Sequence, residues 1–111
     1  MHLTFVETTA FTRRIGAQGL DEDLRELEQE LLRNPEKGAL DPGTGRLPKV
    51  RMRVRSTRKG KSSGARVHYL YLPSGNVVYL VFLYLKGEQA TLTSEQKKQL
   101  RPVAEAFKKE R

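Results

Sequence analysis

The chain has 111 residues, of which 37% are hydrophobic and 31% are charged, and its formal net charge is +8. This length fits one domain, residues 1–111, and the absence of cysteine excludes disulfide bonds and thiolate metal ligands. The longest apolar stretch, Val77–Leu85, is too short to cross a bilayer and the N-terminus lacks a signal-peptide pattern, which predicts a cytoplasmic protein without a membrane partner.

The N-terminal part predicts one strand followed by two helices. Residues 3–6 form a short strand-like run, and Thr8 or Thr9 can cap a helix that continues to about Gly16. Acidic residues at its start, which complement the helix dipole, and Pro35 just after its end indicate a second helix. The apolar stripe of this second helix consists of Leu20, Leu24, Leu27 and Leu31.

The middle of the chain predicts an ordered loop and then three strands. Residues 36–48 are rich in glycine and proline, as is typical of a loop. The strand-like runs that follow are residues 49–55, Ala65–Leu72 and Val77–Leu85. A flexible basic loop, residues 56–64, joins the first two runs, and turn residues 73–76 join the last two. We therefore expect a three-stranded antiparallel meander.

In the first of these strands, basic and apolar residues alternate strictly. Successive side chains of a strand point to opposite faces, so the alternation predicts one cationic face and one core face. The cationic face consists of Lys49, Arg51, Arg53 and Arg55.

The C-terminal part predicts a helix. Thr93 and Gln96 match a capping box, and Pro102 is expected to kink this helix or split it in two. The residues that line its apolar side are Leu100, Val103, Ala104 and Phe107. The complete order is a short strand, two helices, a meander and a final helix, which is an α+β domain.

The basic residues are concentrated in one segment. Residues 42–87 contain ten Lys or Arg and no Asp or Glu, so the whole excess of positive charge comes from this segment. Like charges that are crowded on a sheet repel each other. A polyanion that neutralises them is the natural reason to keep them together, and nucleic acid is the commonest such partner. The alternative is a basic surface that only keeps the protein soluble.

The residue inventory limits the chemistry. His2 and His68 are the only histidines, and His2 lies at the terminus, which disfavours a two-histidine ribonuclease. His68 is better read as a sheet histidine with satisfied hydrogen bonds than as a base. The basic segment has no carboxylates to bind a metal and no Walker-type phosphate loop, so we expect no metal and no cofactor. Cations alone can promote RNA cleavage, because the RNA 2′-hydroxyl is the nucleophile.

Three segments carry a resemblance to a known family. They are KGALDPGTGRLPKVR at residues 37–51, KGKSSGARV at residues 59–67 followed by Tyr69, and LYLK at residues 83–86 followed by a helix rich in Glu, Gln and Lys. Their combination resembles HigB-type toxins of the RelE superfamily of bacterial toxin–antitoxin systems. The predicted order of strands and helices is similar to the RelE-like fold across nearly the whole chain.

The resemblance implies a ribosome-dependent mRNA endonuclease that needs no metal and inhibits translation. Toxins of this kind enter the ribosomal A site and cleave the codon there, with the 2′-hydroxyl as the nucleophile. The implied partners are the ribosome, mRNA and a helix-turn-helix antitoxin of the HigA type.

The resemblance also implies residue roles. Arg66 matches the phosphate-stabilising arginine of the family, and Lys86 stands where many members have a second catalytic Arg or Lys. Two of Lys49, Arg51 and Arg53 correspond to the catalytic basic pair of the second strand, and the resemblance leaves open which two. The residues expected to attract mRNA or ribosomal RNA are Arg55, Arg58, Lys59 and Lys61.

One position departs from the family pattern. Several RelE members place a tyrosine shortly after the last strand, where it stacks on a base, and here Leu92 occupies that position. Tyr84 is the nearest substitute for binding RNA. Two other readings stay open at this point: a ParE-like toxin that poisons DNA gyrase, and a non-catalytic module that binds RNA or the ribosome.

Overall fold

The computed structural model describes residues 2–55 and 64–109 of the chain. The described residues form a compact α+β domain with five strands and three α-helices. The strands are β1 (Thr4–Glu7), β2 (Ala39–Leu40), β3 (Pro48–Met52), β4 (Ala65–Leu72) and β5 (Val77–Leu85). The helices are α1 (Thr9–Gln18), α2 (Asp21–Arg33) and α3 (Ser94–Lys108).

The strands form one mixed sheet in the order β1-β5-β4-β3-β2. β3, β4 and β5 pair antiparallel in sequence order, which confirms the predicted meander. β1 pairs parallel with β5, so the N-terminal strand closes the sheet on the side away from β3. A turn of 3-10 helix, Pro73–Gly75, joins β4 to β5, and Asn76 follows it in the left-handed conformation.

The sheet is covered on both faces. On one face Phe11 and Ile15 of α1 and the leucines of α2 pack against inward-facing residues of the strands, such as Val67 and Leu83. On the other face Leu100 and Ala104 of α3 pack against a smaller cluster that includes Leu70 and Val81. Burial on two faces explains why β5 reads as an almost continuous apolar run instead of an alternating one.

A bulge lies where β5 changes its pairing to β4. His68 pairs with Phe82 but Tyr69 pairs with Leu80, so Val81 has no partner on β4. The start of α1 is bound at this bulge, because the Thr8 hydroxyl donates to the Val81 carbonyl at 2.7 Å. The same hydroxyl accepts from the Phe11 amide, which confirms Thr8 as the cap of α1.

Two predicted strand boundaries differ from the structure. The loop predicted at residues 36–48 contains the two-residue strand β2, which pairs with the beginning of β3. The strand predicted at residues 49–55 ends at Met52. The chain leaves the sheet there because the Arg55 amide donates to Asp23 of α2 at 2.9 Å, which draws this segment toward α2.

The predicted capping box of α3 is present, and of the two outcomes predicted at Pro102, a kink or a split, the split does not occur. α3 runs from Ser94 to Lys108 as one helix that contains Pro102. Pro102 cannot donate to the Lys98 carbonyl, yet both residues are exposed, so water can hydrate that carbonyl. Apolar contacts on both sides of the proline, at Leu100 and Ala104, keep the helix continuous.

Tyr69 fastens the segment after α2 to the centre of the sheet. Its buried hydroxyl donates to the Pro35 carbonyl at 2.9 Å and accepts from the Gly38 amide at 2.9 Å. Gly38 has no room for a side chain, because a Cβ atom there would lie 2.8 Å from the Tyr69 ring. The path of the chain into β2 and β3 therefore depends on this tyrosine.

We expect Tyr69→Phe to lower the free energy of unfolding by about 1–3 kcal/mol, since it leaves the half-buried Gly38 amide and the buried Pro35 carbonyl without partners. Urea denaturation of both proteins measures the change. Tyr71→Phe is the matched control, because the Tyr71 hydroxyl makes no hydrogen bond with the residues that the structure describes. Equal effects of the two substitutions would contradict this account of Tyr69.

Candidate nucleic-acid interface

Two arginines lie side by side on the sheet face that α3 covers in part. Arg51 of β3 pairs directly with Arg66 of β4, and Arg66 pairs with Tyr84 of β5. Paired residues of antiparallel strands share a face, so these three residues form one row across the sheet. Arg51 is exposed, Arg66 is half-buried and Tyr84 is completely buried. We call Arg51 and Arg66 the arginine pair.

The row next to it holds Lys49, His68 and Phe82, which are paired across the same three strands. This second row is covered by Asp41, which lies in the segment 41–47 between β2 and β3. His68 Nε2 donates to Asp41 Oδ2 at 2.7 Å, and Lys49 Nζ lies 3.9 Å from the same oxygen. We call Asp41, Lys49 and His68 the Asp41 cluster.

The two rows differ in how their charges are balanced. Lys49 has the Asp41 carboxylate beside it, whereas neither Arg51 nor Arg66 forms an ion pair with any acid in the described ranges. The one hydrogen bond that the structure gives the Arg66 side chain goes to the carbonyl of its neighbour Ala65, at 3.3 Å. Directly opposed like charges destabilise a sheet, so the arginine pair has a cost that an external anion would remove.

Arg53 and Arg55 lie toward α2. Arg53 is exposed and lines a groove with Glu26 and Glu30, a groove that Arg51 also borders from the edge of β3. Arg55 pairs with Glu26, with Nε and Oε2 2.9 Å apart. The prediction that Arg55 shares the face of Lys49 is therefore wrong, because β3 has already ended at Met52 and the acids of α2 bind Arg55.

Lys86 follows β5 and holds the turn after it. Its ammonium donates to the Ala90 carbonyl at 2.9 Å, and its backbone amide donates to the Gly64 carbonyl just before β4. The Gly64 bond brings Lys86 to the end of the sheet where β4 begins, near Arg66.

Three residues that the sequence predicts to bind RNA lie outside the described residues. They are Arg58, Lys59 and Lys61.

His68 is completely buried, and its two ring nitrogens differ. Nε2 donates to Asp41, while Nδ1 is buried with no hydrogen-bond partner among the described residues. Burial lowers the pKa of His68, and the positive charges of Lys49 and Lys97 lower it further, against the opposing effect of Asp41. His68 is thus a buried sheet histidine whose Nε2 has the expected partner, while Nδ1 has none among the described residues.

Tyr84 has a buried hydroxyl beside His68, and the centroids of the two rings are 6.1 Å apart. Burial and the Asp41 carboxylate raise the pKa of this hydroxyl, while Arg66 and the nearby Thr91 side chain lower it. Thr91 does not reach hydrogen-bond geometry, so the Tyr84 hydroxyl has no partner in the part of the chain that the structure describes. RNA could stack on Tyr84 only after the groups above it had moved.

Asp41 is the site residue that sequence reasoning missed. It lies within the Gly- and Pro-rich stretch that predicted only a loop, and 27 positions separate it from His68. Within the segment, the Thr44 hydroxyl donates to the Asp41 carbonyl at 2.7 Å and accepts from the Leu47 amide at 3.1 Å. A buried acid just before a proline has no sequence pattern that would have revealed its partner.

The described residues contain no group of three or more His, Cys, Asp or Glu side chains placed to hold a metal ion. In the same ranges, no helix is both long and apolar enough to traverse a bilayer. A comparison with models of known protein families finds no match for this chain.

We expect Tyr84→Phe to leave the free energy of unfolding unchanged or to raise it by up to about 1 kcal/mol, because it removes a buried hydroxyl that has no partner. Urea denaturation measures this change, with Tyr69→Phe as the matched comparison in which a bonded hydroxyl is lost. A loss of stability as large as that of Tyr69→Phe would mean that Tyr84 has a hydrogen-bond partner.

Proposed function

We propose that this protein is a HigB-type toxin of the RelE superfamily, a ribosome-dependent endonuclease that cleaves translated mRNA and is inhibited by a helix-turn-helix antitoxin. The observation that carries the proposal is the arginine pair: Arg51 and Arg66 face each other across β3 and β4 without a described acid. Such a pair suits a phosphate, which can bridge two guanidinium groups.

The arrangement of the strands and helices also supports the proposal. The resemblance implies a strand, two helices, a meander and a final helix, and the described elements follow this order with the addition of β2. The resemblance left open which two of Lys49, Arg51 and Arg53 act with Arg66. Arg51 is the best candidate, since it is opposite Arg66, whereas Asp41 lies beside Lys49 and Arg53 lies toward α2.

The proposed reaction takes place on mRNA held by the ribosome and uses the 2′-hydroxyl of that RNA together with cationic side chains of the protein. The 2′-oxygen of one nucleotide attacks the adjacent phosphorus, the bond from phosphorus to the 5′-oxygen of the next nucleotide breaks, and a 2′,3′-cyclic phosphate and a 5′-hydroxyl result. The proton of the 2′-hydroxyl passes to a base and the leaving oxygen takes one up, so the charges balance. Arg51 and Arg66 stabilise the negative charge that develops on the phosphate oxygens.

The distribution of acids favours nucleic acid over a merely soluble surface. The described acids that pair with cations do so at Arg14, Lys37, Lys49 and Arg55, and the arginine pair is not among these. A surface that only needed solubility would have no reason to leave two opposed arginines without an acid. A ParE-like gyrase toxin and a non-catalytic RNA-binding module remain the competing functions, and the experiment below separates them.

In a cell-free translation extract, we expect the added protein to produce codon-registered cuts in mRNA, detected by primer extension, that disappear when ribosomes are omitted. Arg66→Ala should reduce the cleavage rate by about 10²–10³-fold, as expected for removal of one group that stabilises the transition state. Arg66→Lys should also cleave poorly, because lysine keeps the charge but loses the two-pronged geometry. Blocked translation with intact message would favour the binding module, and unaffected translation would favour the gyrase target.

For binding alone, we expect Arg51→Gln and Arg66→Gln each to reduce the salt dependence of binding to a single-stranded RNA oligonucleotide, by about 0.7 in the slope of log affinity against log salt. Fluorescence anisotropy at several salt concentrations measures this slope. Arg55→Gln is the matched control and should leave the slope nearly unchanged, because Glu26 already pairs with Arg55. An effect of Arg55→Gln as large as that of Arg66→Gln would move the interface away from the arginine pair.

A further inference from the structure

The segment 41–47 and α3 form a joint cover over the His68 side of the sheet. Arg101 Nε of α3 donates to the Gly43 carbonyl at 2.7 Å, and the Lys108 ammonium donates to the Gly45 carbonyl. Gly45 lies so close to Ala104 that a Cβ atom on the glycine would be 3.1 Å from the Ala104 methyl carbon. These contacts couple the segment to the helix, so that a displacement of one displaces the other.

Among the described residues, Asp41 makes the polar contacts that hold this cover on the sheet, a buried one to His68 and a half-exposed ion pair to Lys49. The Asp41 carboxylate accepts from His68 Nε2, and Asp41 and His68 are 5% and 0% exposed. The other contacts between the cover and this face are largely apolar, through Leu47, Leu100 and Ala104. Apolar contacts do not respond to a proton, whereas a histidine and a carboxylate do.

We propose that Asp41 and His68 form a proton-sensitive latch that holds the segment 41–47, and through it α3, on the sheet. The latch is closed when His68 is neutral and donates its single N–H to Asp41. In that state the unpartnered Nδ1 is only an acceptor. Protonation would place a second N–H at Nδ1, where the described residues offer no acceptor, and would desolvate the imidazolium, a cost that the Asp41 carboxylate offsets only in part.

The charged groups around the imidazole reinforce this direction. Lys49 of β3 and Lys97 of α3 both disfavour the imidazolium, and Asp41 of the segment 41–47 favours it. Arg66 is two positions away on the same face of β4, and Tyr84 on β5 is in ring contact. Burial is the largest influence, and it keeps the pKa of His68 in the closed form below its ordinary value.

The lowered pKa of His68 in the closed form fixes the sign of the pH dependence. The closed form binds the proton less readily than an open form in which His68 meets water and titrates near pH 6.5. The latch therefore contributes fully above about pH 6.5, and its contribution is lost as the pH falls from there through the depressed pKa of the closed form. Within that range the equilibrium constant for opening should rise by up to about tenfold for each unit by which the pH falls.

Opening would have a specific consequence for the surface beside it. Tyr84, which pairs with Arg66, and His68 are both completely buried on the covered face, and both would become accessible. The Tyr84 hydroxyl and the His68 imidazole could then contact an anion that is bound to the arginine pair. This consequence for RNA rests on the proposed function, whereas the latch itself does not.

The test uses the full chain with His2→Gln, because His2 is the only other histidine and its removal assigns every imidazole transition to His68. Hydrogen–deuterium exchange, corrected for the intrinsic pH dependence of amide exchange, is measured for residues 41–47 and 94–108 between pH 5 and 8. NMR of the imidazole follows the protonation of His68. We expect protection of both segments to fall below pH 6.5 as His68 becomes protonated, while β4 and β5 keep their protection.

Two variants separate the latch from general acid destabilisation. His68→Gln keeps a side chain that can donate to Asp41 but does not titrate, so its exchange should be independent of pH between 5 and 8. The double substitution Asp41→Leu and His68→Ile replaces the pair by apolar groups. Such a replacement often preserves stability, and here it should also remove the pH dependence of exchange. Equal pH dependence in His68→Gln would overturn the latch. Should both variants fail to fold, protonation of His68 without a change in exchange of residues 41–47 would overturn it.

Discussion

Strand β4 is hydrogen-bonded to β3 on one edge and to β5 on the other, and both of its faces are covered. Its side chains must therefore alternate between two interiors. Ala65, Val67 and Tyr69 enter the core under α1 and α2, which sends Arg66 and His68 to the other face. The position of the cations is thus a consequence of the packing of the main core, since a shift of one residue in register would bury Arg66 among leucines.

The acids of α2 decide which cations remain available. Glu26 pairs with the Arg55 guanidinium and Glu30 with the Lys37 ammonium, so these two positive charges near α2 are balanced within the domain. Arg51 borders the groove that Glu26 and Glu30 line, yet neither Arg51 nor Arg66 forms an ion pair with an acid that the structure describes. Repulsion between them lowers stability unless an anion binds, which links the stability of this face to occupancy of the surface.

The Asp41 cluster places ionisable groups inside the smaller of the two cores. A buried carboxylate is costly unless it is paired, and here His68 and Lys49 share the same oxygen of Asp41. The pairing is incomplete, because His68 Nδ1 and the Tyr84 hydroxyl have no partners among the described residues. Such incomplete networks are uncommon in interiors and are typical of places where a protein changes state or binds a group.

Hydrophobic periodicity and capping residues predicted most of the elements of this domain. The leucine stripe of α2, the capping box of α3 and the three runs of the meander correspond to observed elements, because each depends on residues close together in the chain. At Pro102 the split, one of the two predicted outcomes, is absent because contacts that α3 makes with the sheet outweigh the local effect of the proline.

The amino-acid sequence by itself determined that one segment carries the excess positive charge and that the chain forms an α+β domain. Tertiary structure alone decided that Arg51 stands opposite Arg66, that Arg55 turns to α2, and that Asp41 reaches His68. The physical reason is distance along the chain. Periodicity reports which residues share a face of one element, whereas register between strands and the path of a loop depend on contacts between residues tens of positions apart.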